Sequence, residues 1–250
     1  MGRSVTSLAH AVARAARAED QVRRTAQLQA MSGEDLARVL GGDPAQSAPW
    51  VEAAAACGIA EAQVRLGRML IEGTGVAKDL HSALRWFLKA ARGGNADAQN
   101  MAGRCFELGW GCDIDLPEAC RWFAKSAAAG EAWGEYNYAN MLFDGRGVAQ
   151  DHVAAVALYE RASRRGHARA MNLLARCREE GWGCARDAAQ AAHWYRLSAE
   201  AGYFRAQYNH GIELLHQGRR DEARIWLERA SGEADDAMRT RIIAALSSLP

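Results

Sequence analysis

The chain has 250 residues, 49% of them hydrophobic and 24% charged, with 31 basic against 30 acidic side chains. A formal net charge of +1, with no run of Lys or Arg longer than a pair, gives no electrostatic reason to bind nucleic acid or an acidic membrane. Ala, Leu, Arg and Glu dominate, β-branched residues are few and there are only 4 prolines, which predicts an all-α protein.

Met1 to Arg24 lack the apolar core of a secretory signal, because Arg14, Arg17, Arg23 and Arg24 interrupt a run of alanines. Glu19 and Asp20 argue against an organelle transit peptide. No stretch of about 18 apolar residues occurs, so no membrane span is predicted. The expectation is a cytoplasmic protein whose 6 cysteines are reduced thiols. Residues 1–42, helical over about 5–40 but without the glycine pattern that follows, read as an N-terminal helical cap.

From residue 43 the chain repeats every 36 residues. Gly58, Gly94, Gly130, Gly166 and Gly202 keep that step, as do the pairs Gly73/Gly75, Gly109/Gly111, Gly145/Gly147 and Gly181/Gly183. Asp43, Asp79, Asp115, Asp151 and Asp187 keep it too, and so do Trp50, Trp86, Trp122 and Trp194, with Leu158 in the gap. Each unit reads as helix A (about 60–72 in the first full copy), a loop, then helix B (about 79–93). The aspartates stand where a carboxylate can accept the unpaired N–H groups of helix B, and in one copy Pro117 and Glu118 follow Asp115 in the first turn. The glycines end the helices, where a left-handed residue is needed. Small residues at Gly67, Gly103, Ala139, Ala175 and Gly211 face Ala83, Ala119, Ala155, Ala191 and Ala223, and a large residue follows three positions later. Large against small is how such layers interlock. One hairpin cannot bury its apolar face, whereas a stack can.

The pattern Leu66-Gly67, Gly73-Thr74-Gly75-Val76, Asp79, Ala83, Trp86-Phe87, Ala90-Ala91, Gly94 resembles the Sel1-like repeat, a longer-looped relative of the tetratricopeptide repeat. The resemblance covers 43–232: a partial copy at 43–58, four copies over 59–202 and a shortened, tetratricopeptide-like copy at 203–232. It implies a right-handed α-solenoid of stacked helix-turn-helix repeats. Residues 233–250, with Met238, Ile242 and Leu246 at helical spacing, read as a C-terminal capping helix.

Alternate copies agree better than adjacent ones. Met69 matches Met141 and Val76 matches Val148, whereas Cys105 matches Cys177 and Cys112 matches Cys184. The joint swap implies that the two positions touch, so Cys105–Cys112 and Cys177–Cys184 are candidate thiol pairs. They are either disulfides or redox pairs, or small buried thiols; a reducing compartment favours the second reading. No CxxC occurs and the 7 histidines show no ligand spacing with cysteine, so no metal or other cofactor is expected.

The resemblance places the concave groove on residues 61, 64, 68, 71 and 72 of the first copy, and 3.6 periodicity independently puts those residues on one helical face. Down that stripe stand Glu61, Val64, Arg68 and Ile71, then Asp97, Asn100, Arg104 and Glu107, then Trp133, Tyr136, Asn140 and Phe143. The fourth and fifth copies add Arg169, Asn172, Arg176 and Glu179, then Arg205, Tyr208 and Ile212. Arg68, Asn100, Arg104, Trp133, Tyr136, Asn140, Phe143, Asn172, Arg176 and Tyr208 are the candidate partner-binding residues, since aromatic and Arg anchors among polar groups are hot-spot chemistry. The competing reading is a solvated face in which Arg104/Glu107 and Arg176/Glu179 are i,i+3 neighbours.

The resemblance implies a non-catalytic scaffold for a protein or peptide, in a bacterial regulatory or iron-uptake-linked pathway. A weak β-lactamase of the cysteine-rich Sel1-like type and a thiol-redox-sensitive adaptor are the alternatives. Against the first, no serine has a lysine three residues on, and no phosphate loop or HExxH occurs.

Overall fold

A computed structural model describes residues 19, 20 and 22–247. The expectations for residues 1–18, including the readings of signal and transit peptide that depend on them, lie outside the described residues.

Every described element is a helix, and there is no strand among the described residues. Helix α1 includes residues 22–30. There follow α2 (Gly33–Gly41), α3 (Pro44–Ala56), α4 (Ala60–Glu72), α5 (Leu80–Arg92), α6 (Ala96–Leu108), α7 (Leu116–Ala128) and α8 (Ala132–Asp144). The chain continues as α9 (His152–Arg164), α10 (Ala168–Glu180), α11 (Ala188–Glu200), α12 (Phe204–His216), α13 (Arg220–Ser231) and α14 (Asp236–Ser247). The A helices are α4, α6, α8, α10 and α12, and the B helices alternate with them. The fold is an all-α repeat solenoid, divided into two compact units: one ends at Asp115, the other begins at Leu116. In the first unit α3, α4, α5 and α6 pack each on the next; in the second, α7 to α14 do so in chain order.

Residue chemistry explains the element boundaries. Asp43, Asp79, Asp151 and Asp187 cap their B helices by accepting backbone N–H bonds from Ala45, Ser82, Ala154 and Gln190. The backbone N–H of the same aspartate donates back to the A helix, as Asp79 to the Leu70 carbonyl at 2.9 Å and Asp187 to the Arg178 carbonyl at 2.7 Å. One residue thus starts helix B and closes the loop.

The loop glycines do two different things. Gly109 ends α6 at φ 70°, where a side chain would be strained. Gly111 is left-handed as well, and a Cβ there would lie 2.2 Å from the Leu80 carbonyl oxygen at the start of α5. Gly75 meets Pro44 in the same way, Gly147 meets Leu116 and Gly183 meets His152. Each loop therefore rests on the backbone of the B helix that precedes it in the stack.

The core differs from the expectation in one series. Large does oppose small, but the ring over Gly67 is Phe87, whose Cε1 would stand 2.5 Å from an added Cβ, and not its neighbour Trp86. Phe87, Phe123, Tyr159, Tyr195 and Leu227 are buried in every copy, whereas the expected series is mixed: Trp122 and Leu158 are buried and Trp86 and Trp194 only partly so. A tryptophan one residue earlier on helix B points outward enough to carry a cation, as Lys89 over Trp86 at 5.1 Å and Arg229 over Trp226 at 4.9 Å.

The last copy lacks the Gly-x-Gly loop. Helices α12 and α13 are joined by a turn at Gln217–Arg219 with Gly218 at φ 77°, and Leu227 fills the space beside Gly211. Met238 and Ile242 of α14 are buried against Leu227 and Ala230 of α13.

Two glycines of the first unit separate conformational from steric cost. Gly94 (φ 89°) has nothing within 4 Å of an added Cβ, so Gly94→Ala should cost about 1 kcal/mol for the left-handed backbone alone. Gly111→Ala adds a clash with backbone that cannot swing aside and should cost about 3 kcal/mol or more. Urea midpoints of the two variants check the order, and equal losses would refute the stacking role assigned to Gly111.

Candidate functional site

The A-helix face is uneven, and its richest part lies in the second unit on α8 and α10. Trp133 is 44% exposed at the start of α8. Its ring meets the imidazole of His167 edge to face, with centroids 4.4 Å apart, and Tyr136 stacks on the same imidazole at 4.6 Å. Tyr136 lies 6.4 Å from Tyr159 and Phe143 lies 6.4 Å from the same ring. Phe143 in turn stacks on His152 at 4.5 Å and meets Trp182 at 5.5 Å. Trp133 and Tyr136 also meet directly, edge to face at 6.0 Å, while Phe143 joins them through Tyr159; neither Tyr159 nor His167 was evident from the sequence. Edge-to-face and offset contacts of this kind fix ring orientation beyond what area burial alone would do.

The polar members of the stripe are mostly engaged. Asn140 accepts from the Tyr159 hydroxyl at 2.7 Å. Asn172, 8% exposed, accepts from the Asn209 amide at 3.1 Å and ties α10 to α12. Asn100 is 5% exposed on α6. Arg68 Nη2 donates to both oxygens of Asp97, at 2.8 and 2.7 Å, a charge-assisted pair between exposed partners. Arg104 lies 5.0 Å over Trp110 and Arg176 lies 4.9 Å over Trp182, the same contact in alternate copies. Tyr208 is partly buried with Arg241 5.9 Å over its ring. Exposed rings and half-free guanidiniums are thus what the face offers, with the asparagines holding helices together.

Beneath Trp133 the repeat changes chemistry. In three copies a glutamine of helix A donates to the carbonyl eight residues earlier: Gln63 to Ala55, Gln99 to Ala91 and Gln207 to Ala199. In the third full copy the position is Glu135, which has no amide to donate and is 0% exposed. Arg161 takes over the bond, donating to the Ala127 carbonyl at 2.9 Å while standing 2.7 Å from the Glu135 carboxylate. Arg165 approaches its other oxygen at 3.4 Å. Neither carboxylate oxygen has a hydrogen bond of ordinary geometry among the described residues, so charge holds the group. Broken agreement with Gln63, Gln99 and Gln207 was the sequence signal for this cluster.

His167 caps α10, its Nδ1 accepting the Ala170 N–H at 3.1 Å. Burial, and then the charge of Arg169, lower its pKa from 6.5 to about 4. The neutral ring must therefore carry its proton on Nε2, which has no partner among the described residues.

The cysteine pairs do come together. Cys112 Sγ lies 3.7 Å from the Cys105 carbonyl and Cys184 Sγ lies 3.5 Å from the Cys177 carbonyl, so each loop thiol sits at the end of helix A in the manner of a weak S–H donor. All six cysteines are free. Burial, helped by the neighbouring thiol, pushes Cys105 and Cys177 up to about 12, and burial raises Cys112 and Cys120 as well. Thiolates are disfavoured there, and with them nucleophilic chemistry. Among the described residues no group of three or more His, Cys, Asp or Glu is placed to hold a metal ion, and no helix is long and apolar enough to cross a membrane.

These helices, with their 36-residue step and left-handed loop glycines, define a repeat class. The family model described as Sel1 repeat matches residues 60–95, 96–131, 134–167, 168–203 and 205–233; the chain belongs to the Sel1 repeat family. Among solved structures it is similar to a Sel1 repeat protein from Oxalobacter formigenes, at 28% identity and TM-score 0.69, over 74% of this chain and 78% of that one. It is also similar to c5321, a protective antigen present in uropathogenic Escherichia coli strains displaying an SLR fold, at 25% identity and TM-score 0.73. That match covers 89% of this chain and 50% of the antigen, so the chain spans half the antigen's length. A search of curated proteins finds no match.

Two measurements test the site chemistry. Because His167 binds a proton near pH 4 when folded and near 6.5 when unfolded, the unfolded chain takes up more protons between these values. Its contribution to stability is constant above pH 6.5 and falls by on the order of 3 kcal/mol as pH drops to 4. His167→Asn keeps the cap, as Asn95 does for α6, and should flatten the difference between urea midpoints at pH 7 and pH 4.5. An unchanged difference would remove His167 as its source. For the thiols, iodoacetamide without reductant should label exposed Cys57 first, with Cys105 and Cys177 labelled only after unfolding. Six labels on the unfolded chain are expected, and four unlabelled cysteines would show oxidised pairs.

Proposed function

We propose that the chain is a non-catalytic interaction scaffold, holding a segment of a protein or peptide against the A-helix faces of its repeats. Sel1 repeats are commonly protein-interaction scaffolds, so the class of function follows from the family. The placement on α8 and α10 rests on one observation: Trp133, a large ring left 44% exposed, is propped rigidly by His167 and lies under the Arg169 guanidinium at 5.5 Å. An exposed anchor already held in one orientation loses little freedom on association, and Trp, Tyr and Arg are the residues that dominate interface energies. Arg68, Arg104, Arg176 and Tyr208 would supply further contacts within their own units. The six free thiols fit a reducing cytoplasm, where we place this activity in a bacterial regulatory pathway.

Affinity capture with the wild type and with Trp133→Ala/Tyr136→Ala tests the reading. The double variant should lose at least one partner that the wild type recovers, with an unchanged helical circular-dichroism signal. Equal recovery of the same partners by both would place the anchor elsewhere.

A further inference from the structure

The second unit contains a cavity of about 460 Å3 at one end of the A-helix stripe, where three successive turns deliver the N-termini of α8, α10 and α12. Its lining includes Trp133, Arg165, His167, Arg169, Tyr203 and Phe204, with Glu233 the one acidic member. With His167 neutral, two guanidiniums face one carboxylate, a net positive lining.

The three helix starts are not equivalent. Glu131 caps α8 through the Gly134 N–H and His167 caps α10. At the matching place Tyr203 gives α12 no side-chain cap; the Ala206 N–H turns back to the Tyr203 carbonyl at 2.9 Å, which leaves the N–H groups of Phe204 and Arg205 for another acceptor. His167 points to the same need. It is 8% exposed and lines the cavity, yet its Nε2, the proton-bearing nitrogen, has no hydrogen-bond partner among the described residues. A buried donor left unpaired costs stability unless a ligand or water meets it.

Arg169 completes the set. Its guanidinium lies 5.5 Å from the Trp133 ring and 5.9 Å from the Tyr203 ring, and it makes no ion pair among the described residues. Arg165 is held at the rim by Glu135, 3.4 Å away. The cavity thus combines unused donors for an anion with flat apolar walls of Trp133, Tyr203 and Phe204. A phosphate would use the donors and leave the aromatic walls empty; an apolar side chain alone would leave Arg169 and the α12 amides unpaired.

We propose that this cavity is a subsite for a peptide segment pairing a carboxylate side chain with an adjacent aromatic residue. The carboxylate meets Arg169, the uncapped start of α12 and His167 Nε2–H, and the ring lies among Trp133, Tyr203 and Phe204. This deepens the peptide-scaffold reading, on which it rests, by naming what the bound segment must contain.

The test is fluorescence anisotropy with an end-blocked Gly-Gly-Asp-Phe-Gly-Gly probe, so that no terminal charge takes part, on the full chain. Saturable binding is expected, weakened about tenfold or more when the probe's Asp becomes Asn, when its Phe becomes Ala, or in Arg169→Ala. Added salt should weaken it as well. The exposed position of Arg169 leaves the fold intact in that variant, which thermal melting verifies. No saturable binding, equal affinity for the Asp and Asn probes, or indifference to Arg169→Ala each overturns the subsite. The scaffold reading is tested separately: if captured partners depend on Trp133 and Tyr136 but not on Arg169, the face stands and the subsite falls, whereas equal recovery by the Trp133→Ala/Tyr136→Ala variant sinks the scaffold reading on this face.

Discussion

The stack depends on how closely each loop can approach the helix before it. Gly75, Gly111, Gly147 and Gly183 lie so near the backbone that opens the preceding B helix that a single methyl group would overlap it. Backbone against backbone admits one spacing, whereas side-chain packing admits several. With that distance set, the aspartate four residues further on both caps its own helix B and returns an N–H to helix A. The hairpin angle and the stacking distance are therefore fixed by the same short loop. In the last copy the loop is gone, and the contact within the hairpin remains, Leu227 over Gly211 as Phe87 over Gly67.

A rigid frame of this kind decides what may vary. Positions inside the stack are constrained to repeat: the alanines of helix B and the ring series Phe87, Phe123, Tyr159 and Tyr195 keep size or aromaticity from copy to copy. Substitutions with chemical consequence fall where the frame does not need a particular residue. The turn from helix B to helix A is such a place, because its left-handed glycine does the geometric work and the N-cap beside it can differ: Ile59, Asn95, Glu131, His167 and Tyr203 stand in equivalent positions. The second unit gathers the ionisable and aromatic members of that series.

How much of this was legible in the sequence follows from the same division. The repeat, its helix boundaries and its capping aspartates could be read because each rests on backbone requirements that few residue types satisfy. Phe87 was harder, since Trp86 beside it is larger and repeats just as regularly; only the helix's rotation shows which of the two enters the core. On the stripe of helix A one position turns inward in three copies: Val64, Asn100 and Asn172 are buried, and Asn172 serves a neighbouring helix. His167 gave no sign of its place because histidine is not a usual N-cap residue, although it caps α10. Its role as an N-cap under two aromatic rings depends on residues 31 to 34 positions away, in the preceding copy.

Glu135 shows why exceptions inside a repeat carry more information than its rules. A glutamine at that position satisfies the carbonyl of the previous helix in three other copies at no electrostatic cost. Replacing it by a fully buried carboxylate requires cations, and Arg161 and Arg165 provide them, with Arg161 also restoring the lost hydrogen bond. A buried charge with its partners is seldom more stable than the neutral arrangement it replaces. Stability therefore does not explain the exchange. What the exchange fixes is position: Arg161 and Arg165 are both held beside Glu135, and Arg165 is thereby set in the lining of the cavity that Trp133 also lines.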